Sequence, residues 1–545
     1  MNEATLKRNR WLTLIAMTLS SGMILVDQTS VPLAIPDAMV DLKAPISDGQ
    51  WILTANMLPL AAFMVIGGRL GDIFGLRKIF LIGALIFSIS SAFAGFAQNF
   101  EWMVAARASQ GLGAALMMPT AVAIVSATFP KAERGKALGI LAGSAAFLAA
   151  LGPVVGGGLA TLDWRLVFLV NVPLAIATVV LTLKATPPLS PKDGVSRQID
   201  YAGVITFSLG IAGIVYGLGQ GQNLGWTDPQ VIGSLVLAVA GFAGFVVVEH
   251  LVKNPMIEFK LFRHKNFLAA NISQFLSGSI ELGTAYLLPY FLLIIIGVSP
   301  LVAGLALIPA TVPIILAGPL AGKWFDKVGG RMPLVVGFLT LSLSGLAMAF
   351  AAPTEMYVWL IPGLILQGIG LGIVLTVNDP TGLSAVPPED QGQAAGVINT
   401  TEQLGGAVGI AVLSAIMIGT AKSRVYELLG DKGIKPTPEQ DAQWKDFMLT
   451  IETKGLKHID LSQQSDVIKV AVNDVVTAHT FGYEIMFFTT AGIGLLGALV
   501  CWTLVRKTDR IEQLKVFSRR SSWQYTSVGG RSPGLTKHPA PPDEN

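Results

Sequence analysis

Long apolar runs constrain this chain more than any other feature of its sequence. A helix that crosses the hydrocarbon core of a membrane needs about 20 mainly apolar residues, and fourteen stretches of the chain meet that requirement. We therefore predict an all-α integral membrane protein with fourteen transmembrane helices. The predicted spans are residues 12–36, 50–69, 79–97, 101–128, 138–160, 165–184, 201–219, 230–250, 267–297, 301–322, 333–352, 357–379, 395–420 and 483–505.

The composition excludes most classes of soluble protein. Only 13% of the 545 residues are charged, whereas soluble domains carry about 25%. The net charge of +3 and the lack of basic runs with interleaved aromatic residues argue against a nucleic-acid partner. The single cysteine, Cys501, and five scattered histidines predict neither a disulfide framework nor a metal site. No Walker loop and no nucleophile–base motif occurs, so we expect no ATP drive and no enzyme activity.

Lysine and arginine are unevenly distributed between the predicted loops. If the N-terminus lies in the cytoplasm, most of the 38 basic residues lie on that side, and the short loops on the other side hold only Lys43 and Arg165. Basic residues concentrate on the cytoplasmic side of membrane proteins. We therefore expect a multi-pass protein of the plasma membrane, the inner membrane of a bacterium, with both termini in the cytoplasm.

Three short sequence patterns recur in the second half of the chain in the same membrane orientation. Gln110-Gly111 recurs as Gln367-Gly368, and Gly135-Lys-Ala137-Leu-Gly139 recurs as Gly392-Gln-Ala394-Ala-Gly396. A Gly, Asp, Gly, Arg pattern in a predicted cytoplasmic loop also occurs twice. The two loop copies are Gly68, Asp72, Gly75 and Arg77, and Gly322, Asp326, Gly329 and Arg331. Such repeats indicate a duplicated bundle of helices.

A parallel duplication predicts two six-helix bundles with a site between them near the bilayer midplane, as in rocking secondary transporters. Residues 1–185 would form the N-terminal bundle (spans 1–6) and residues 267–506 the C-terminal bundle (spans 9–14), with an extracellular loop at 421–482. Residues 186–266 would form an inserted linker hairpin (spans 7–8). Residues 507–545 contain few apolar residues and are expected to be a disordered cytoplasmic tail.

Five short motifs occur in order along the first six spans and their loops. They are Asp27 to Pro36 in span 1, Gly68 to Arg77 in the next cytoplasmic loop, Arg107-Ala-Ser-Gln110-Gly111-Leu-Gly113 in span 4, Gly152-Pro153-Val-Val-Gly156-Gly157 in span 5, and Trp164-Arg165 with Asn171-Val-Pro173 in span 6. Each motif is weak alone. Together they resemble the fourteen-span drug/proton antiporters of the major facilitator superfamily.

The resemblance implies a proton-coupled multidrug efflux antiporter that exports amphipathic, cationic compounds by alternating access. Its partners would be small-molecule amphipathic substrates, protons and membrane lipids, and it would work as a monomer. It would need no cofactor, because the proton gradient drives transport. The glycine-rich motif of span 5 would pack tightly enough to seal the cavity against leak.

Among the charged residues of the predicted spans, the candidate functional residues are Asp27, Arg107, Glu281, Asp379 and Glu402. A charge near the bilayer centre costs several kcal/mol, so each is a functional hypothesis. At 1.5 Å per helical residue, Asp27 and Arg107 reach similar depths, and we expect them to form an ion pair. The pair would either stabilise the N-terminal bundle or take part in proton coupling inside the cavity.

Glu281 is the counterpart of Asp27 in the repeat and has no cationic residue nearby in sequence. Burial favours the neutral form of a carboxyl group, so Glu281 is expected to release a proton when a cationic ligand arrives. A structural or lipid-facing protonated Glu281 is the alternative. Asp379 is expected either in the cavity or at a helix end, and Glu402 on the proton route or in a structural role.

The duplicated cytoplasmic loops suggest a gate. Asp72 and Arg77, with their copies Asp326 and Arg331, lie at predicted helix ends. Ion pairs between the bundles would close the cytoplasmic side in one state and break in the other. Ordinary cytoplasmic anchors are the alternative.

Other functions also fit parts of the sequence. The main alternative is a dedicated exporter of one endogenous metabolite, such as an antibiotic, a siderophore or a lipid-like product. A receptor or an intramembrane enzyme would use the same carboxyl groups without net flux, and the duplicated loops argue against both. A proton-driven importer is disfavoured by the motif of span 5.

Overall fold

The computed structural model describes residues 3–189, 200–252, 255, 257, 259–386, 391–431 and 466–506, and every regular element in them is helical. The predicted all-α fold is therefore confirmed for the described part of the chain. The helices are α1 (Glu3–Asp41), α2 (Gln50–Phe74), α3 (Leu76–Gly95), α4 (Phe100–Thr128), α5 (Lys131–Leu162), α6 (Leu166–Leu169), α7 (Asn171–Ala185), α8 (Tyr201–Leu224), α9 (Pro229–Leu251), α10 (Lys265–Tyr290), α11 (Pro300–Ala306), α12 (Ile308–Val328), α13 (Arg331–Ala351), α14 (Tyr357–Leu383), α15 (Gln391–Asp431) and α16 (Asp466–Leu504).

Most of these helices are long and apolar enough to cross a membrane. Over the described residues, twelve helical segments meet that requirement, and α2 makes thirteen if its two parts, bent by 51° between Gln50–Met64 and Ile66–Phe74, form one span. In α5 the corresponding apolar stretch, Phe147–Leu162, is shorter. The chain is thus a multi-pass membrane protein, and the count of fourteen spans stays a prediction.

The packing of the helices repeats along the chain. In the first half, α1 packs on α5 and α7, and α4 packs on α2 and α3. In the second half, α10 packs on α15 and α16, and α14 packs on α12 and α13. Helices α8 and α9 pack on each other, and α8 also contacts α2 and α15. This is the arrangement that a parallel duplication with an inserted hairpin produces.

The hydrophobic core that the two bundles share lies mainly toward one end. We call the end at which α1 finishes the distal end, and the end at which α1 begins the proximal end. N-terminal bundle residues such as Val31, Met103 and Phe168, all in its distal half, cluster with Tyr286 and Phe291 of the C-terminal bundle. The proximal halves contain separate clusters, one in each bundle. Apolar contact between the bundles is therefore concentrated at the distal end.

Two helices extend beyond the spans predicted for them. Helix α15 continues to Asp431 and α16 begins at Asp466, so both helices extend into the segment 421–482. The extracellular loop over this segment stays a prediction. Hydropathy falls at the membrane boundary, but the sequence continues as a helix there, and Arg424 and Glu427 form an i,i+3 ion pair of 2.5 Å. Residues 432–465 and the predicted tail 507–545 lie outside the described residues.

Candidate functional site

Asp27 and Arg107 form the predicted ion pair. Nη1 of Arg107 lies 2.6 Å from Oδ2 of Asp27, and each side chain is only 1% exposed. Nε of Arg107 donates a hydrogen bond of 2.8 Å to the carbonyl oxygen of Ile52. The pair thus joins α1 to α4, with α2 as a further contact.

Amide and hydroxyl groups complete the surroundings of Asp27. Oδ1 of Asp27 accepts hydrogen bonds from Nε2 of Gln110 at 3.1 Å and from Nδ2 of Asn171 at 3.0 Å. Nη1 of Arg107 also donates to Oε1 of Gln110 at 2.7 Å, and Asn171 donates to Ser91 at 3.1 Å. These donors offset the cost of burying a charge, and all of them belong to the N-terminal bundle.

Glu281 has a different environment at the matching position of α10. Leu364 precedes Gln367 by three residues, as Arg107 precedes its own glutamine, so a leucine replaces the arginine in the second copy. Gln367 donates to Thr284 rather than to a carboxylate. Oε2 of Glu281 is buried and accepts no hydrogen bond from the described residues. The C-terminal bundle therefore keeps the acid and the glutamine but lacks the cation.

Two carboxyl groups of the C-terminal bundle interact with a third, that of Glu402. Glu402 on α15 interacts electrostatically with Glu281 on α10 and with Asp379 on α14. All three side chains are partly exposed, whereas Asp27 is sealed from solvent. Among the described residues, none of the three forms an ion pair with a lysine, arginine or histidine. We call Glu281, Asp379 and Glu402 the acidic cluster.

A chain of hydrogen bonds reaches the acidic cluster through three helices. Nε2 of Gln274 donates to Oε2 of Glu402 at 2.6 Å, and Nδ2 of Asn378 donates to Oε1 of Gln274 at 2.5 Å. Ser273 donates to Oδ1 of Asn378. Sequence reasoning missed Gln274, although an uncharged amide in the middle of an apolar span is a detectable signal.

Another missed contact crosses between the bundles. Nε2 of Gln28 donates a hydrogen bond of 3.2 Å to Oε1 of Gln403, and both side chains are buried. Gln28 directly follows Asp27 and Gln403 directly follows Glu402. The contact therefore links the helix that carries the buried ion pair to the helix that carries part of the acidic cluster.

The glycines of span 5 allow close helix packing. A Cβ atom added at Gly156 would collide with Ser30 of α1, and one added at Gly157 would collide with the carbonyl group of Pro300 in α11. Helix α5 thus packs tightly on its own bundle and on the other one at the distal end. The predicted tight contact is confirmed, and its role in preventing leak stays a prediction.

The two copies of the Gly, Asp, Gly, Arg loop motif make contacts inside their own bundles. Nη2 of Arg77 donates to the carbonyl oxygen of Leu183 at 2.7 Å, and Arg331 stacks on the ring of Trp502, 4.4 Å from its centroid. Gly75 and Gly329, with φ of 99° and 77°, adopt conformations that other residues avoid. The positive φ explains why both copies have a glycine at this position. Ion pairs between the bundles from these loops stay a prediction.

The chain resembles known transport proteins over most of its length. Residues 17–410 match the Major Facilitator Superfamily. "Multidrug resistance protein Stp" of Mycobacterium tuberculosis (strain CDC 1551 / Oshkosh) is 32% identical over 414 residues, which cover 76% of each chain. "Tetracenomycin C resistance and export protein" of Streptomyces glaucescens is 32% identical over 432 residues, 78% of this chain and 79% of that one.

Solved structures of distant sequence share the fold. A bacterial homologue of the human lysosomal transporter Spinster, in an inward-facing conformation, has a TM-score of 0.58 and 16% identity, and the match covers 92% of this chain and 97% of that one. An auto-inhibited POT family peptide transporter has a TM-score of 0.61 and 13% identity over the same shares of each chain. From the match over residues 17–410, and in keeping with the twice-repeated helix packing, we conclude that the chain belongs to the Major Facilitator Superfamily.

Proposed function

We propose that the protein is a proton-coupled efflux antiporter that exports amphipathic cationic compounds by alternating access. It works in the plasma membrane without ATP or another cofactor, and with both termini in the cytoplasm. The observation that carries this proposal is the acidic cluster: three carboxyl groups, partly exposed and without a cationic partner among the described residues.

Such a cluster suits exchange of a proton against a cation. Three neighbouring carboxylates repel one another when all are ionised, and surroundings of low polarity strengthen the repulsion. A bound proton or a bound cation relieves that repulsion, so protons and a cationic substrate compete for the same groups. Competition of this kind, combined with access from one side at a time, is sufficient for antiport.

The packing of the bundles supports alternating access. The shared core and the Gln28–Gln403 hydrogen bond hold the bundles together at the distal end and near mid-membrane. The proximal halves pack around separate clusters. If the basic loops place the proximal end in the cytoplasm, opening of this less tightly joined end would give a substrate access from the cytoplasm, as an exporter requires.

We propose a bracing role for Asp27 and Arg107 in this conformation. Asp27 accepts hydrogen bonds from Arg107, Gln110 and Asn171, and its side chain is 1% exposed. A carboxylate with so many donors and no access to solvent is poorly placed to exchange protons here. A proton-linked role for the pair in another conformation stays a prediction.

A dedicated exporter of one metabolite is the second candidate. Two relatives that are equally similar to this chain, at 32% identity, carry names of different breadth, one a multidrug resistance protein and the other a tetracenomycin C export protein. Competition among many unrelated cations for transport would favour the multidrug function. One tightly bound ligand, with weak competition from others, would favour the dedicated exporter.

The test uses purified protein in proteoliposomes with an imposed pH gradient and tetraphenylphosphonium as the cationic probe. Wild-type protein is expected to move the probe against the proton flow, and Glu281→Gln is expected to abolish this coupled movement. Glu484→Gln, which removes a carboxyl group from the distal part of α16, is the matched control and is expected to retain it. Coupled movement that is unchanged in Glu281→Gln would contradict the proposal.

A further inference from the structure

Gln274 connects three helices of the C-terminal bundle at the acidic cluster. It lies on α10, receives a hydrogen bond from Asn378 of α14 and donates one to Glu402 of α15. Its side chain is only 3% exposed, so water does not compete for these bonds. The amide of Gln274 satisfies both neighbours in one orientation only. In that orientation its oxygen faces Asn378 and its nitrogen faces Glu402.

Asn378 determines the orientation of Gln274. Nδ2 of Asn378 donates to the backbone carbonyl of Ala270 at 3.0 Å, and Oδ1 accepts from Ser273. A backbone carbonyl can only accept, so the amide of Asn378 is held with its nitrogen toward α10. The same nitrogen donates to Oε1 of Gln274, which turns the nitrogen of Gln274 toward Glu402.

Glu402 therefore faces a fixed donor. Nε2 of Gln274 donates a hydrogen bond of 2.6 Å to Oε2 of Glu402. A donor in this position stabilises the carboxylate more than the neutral acid. Oε2 of Glu281, by contrast, accepts no hydrogen bond from the described residues.

Other charged groups near Glu402 do not supply this donor. Glu281 of α10 and Asp379 of α14 carry the same sign of charge and repel it. Helix α8 has no charged residue between Tyr201 and Leu224. The other helices packed against α15 are α2 and α16. The charged residues of α2 lie in its proximal third. Apart from the thiol of Cys501, the titratable groups of α16 all lie in its first half, toward the distal end, and are Asp466, Lys469, Asp474, His479, Tyr483 and Glu484.

We propose that Gln274 is a positioning residue that holds Glu402 as the anionic ligand of a cationic substrate and leaves Glu281 to carry the coupled proton. This inference rests on the proposed function and divides the acidic cluster into two roles. Gln274 acts through Glu402 and need not touch the substrate.

The test measures binding of tetraphenylphosphonium to purified full-length protein as a function of pH. The variants are Gln274→Met, which keeps the size of the side chain without a donor, and Gln274→His, which keeps a ring N–H. Affinity of Gln274→Met near neutral pH is expected to fall about tenfold, because the variant loses a hydrogen bond to a charged group. Its binding curve is expected to shift toward higher pH, and Gln274→His is expected to restore part of the wild-type curve.

The Glu402→Gln background distinguishes an effect of Gln274 on the charge of Glu402 from an effect of Gln274 on helix packing. In Glu402→Gln, the further change Gln274→Met is expected to leave the pH profile unchanged, because no carboxylate remains to stabilise. Asn378→Leu, which frees the amide of Gln274 to rotate, provides a second variant and is expected to shift the curve in the same direction as Gln274→Met.

An unchanged pH profile in both Gln274→Met and Asn378→Leu, beside a pH-dependent wild type, would overturn the role of Gln274 and leave the proposed function intact. If Gln274→Met shifts the pH profile of binding as much in the Glu402→Gln background as in the wild-type background, this role would also be overturned. Wild-type binding that does not depend on pH would contradict the proposed function, and with it the role of Gln274.

Discussion

The two bundles place an acidic residue at the same position of a duplicated fold and surround it differently. Asp27 in α1 is bound by Arg107 and by two amides, and its side chain is sealed from solvent. In the second copy, Leu364 occupies the position of the arginine, and Glu281 in α10 is partly exposed and forms no ion pair with the described residues. One copy neutralises its buried acid and the other leaves it without a cation.

The difference shows how a duplicated scaffold can divide structural and chemical work. A buried ion pair resists any change of charge, because removing either charge leaves the other uncompensated. An acid without a cationic partner can bind a proton or a cation instead. We infer that the arginine in one copy and the leucine in the other separate these two roles.

The largest expected effect comes from breaking the braced pair. Arg107→Leu gives the N-terminal bundle the residue that the C-terminal bundle has and leaves Asp27 buried without its cation. We expect a loss of about 3–5 kcal/mol of stability, seen as a lower midpoint of thermal unfolding in detergent. Leu364→Met is the matched control and should change little. A stability equal to that of wild type would show that Arg107 does not brace the bundle.

The reverse substitution introduces an arginine into the C-terminal bundle. Leu364→Arg offers Glu281 the cation that Asp27 has, and the two charges are expected to compensate each other. Proton-driven movement of tetraphenylphosphonium in proteoliposomes should be lost in this variant, because Glu281 would then hold a fixed charge. Leu364→Gln introduces a polar group without charge and is expected to retain more transport. Full coupling in Leu364→Arg would contradict the account.

A smaller effect is expected from the contact between the bundles. Gln28→Leu removes the hydrogen bond to Gln403, which contributes about 1 kcal/mol and therefore changes a conformational equilibrium about fivefold. The measurement is maleimide labelling of a cysteine placed at Leu288, in the shared distal core, after Cys501→Ser removes the only native cysteine. Labelling should become faster as the distal end opens more often.

The matched control for this labelling is a glutamine away from the interface. Gln230→Leu changes an exposed residue of the hairpin and is expected to leave the labelling rate unchanged. Equal rates in Gln28→Leu and wild type would mean that the contact does not hold the distal end closed.

The smallest effect concerns an acid outside the membrane-spanning helices. Burial raises the pKa of Asp48, which lies in the turn Ile46–Gly49 before α2. The unfolded chain then loses this proton at lower pH than the folded protein, so Asp48 lowers stability as the pH rises above about 4. Asp48→Asn should unfold at a slightly higher temperature than wild type at pH 7 and at the same temperature at pH 3. A lower unfolding temperature at pH 7 would reverse the expected sign.

The sequence predicts the ion pair of Asp27 and Arg107 because the position of each residue along its own helix is enough to estimate its depth in the membrane. Helical rise fixes the depths of Asp27 and Arg107, and the repeat identifies Glu281 as the counterpart. The helix ends of α15 and α16 were not predictable from hydropathy, which marks the membrane boundary rather than the end of a helix. The alternatives for Asp379 are not exclusive, since it lies four residues before the end of α14 and still interacts with Glu402.

The contacts that sequence reasoning missed depend on the approach of distant helices. Gln274, Asn378 and Glu402 come from three helices, and only the packing of α10 against α14 and α15 brings them together. Gln28 and Gln403 meet across the two bundles. Each of these amides is an ordinary polar residue in sequence, and its partner is defined by tertiary structure alone.

The central claim is that the acid without a cation, Glu281, carries the coupled proton. The most direct measurement is the release of protons into a weakly buffered solution when tetraphenylphosphonium binds to the purified protein near neutral pH. Wild-type protein is expected to release protons on binding, and Glu281→Gln is expected to release clearly fewer for each cation bound. Equal release from both proteins would contradict the claim.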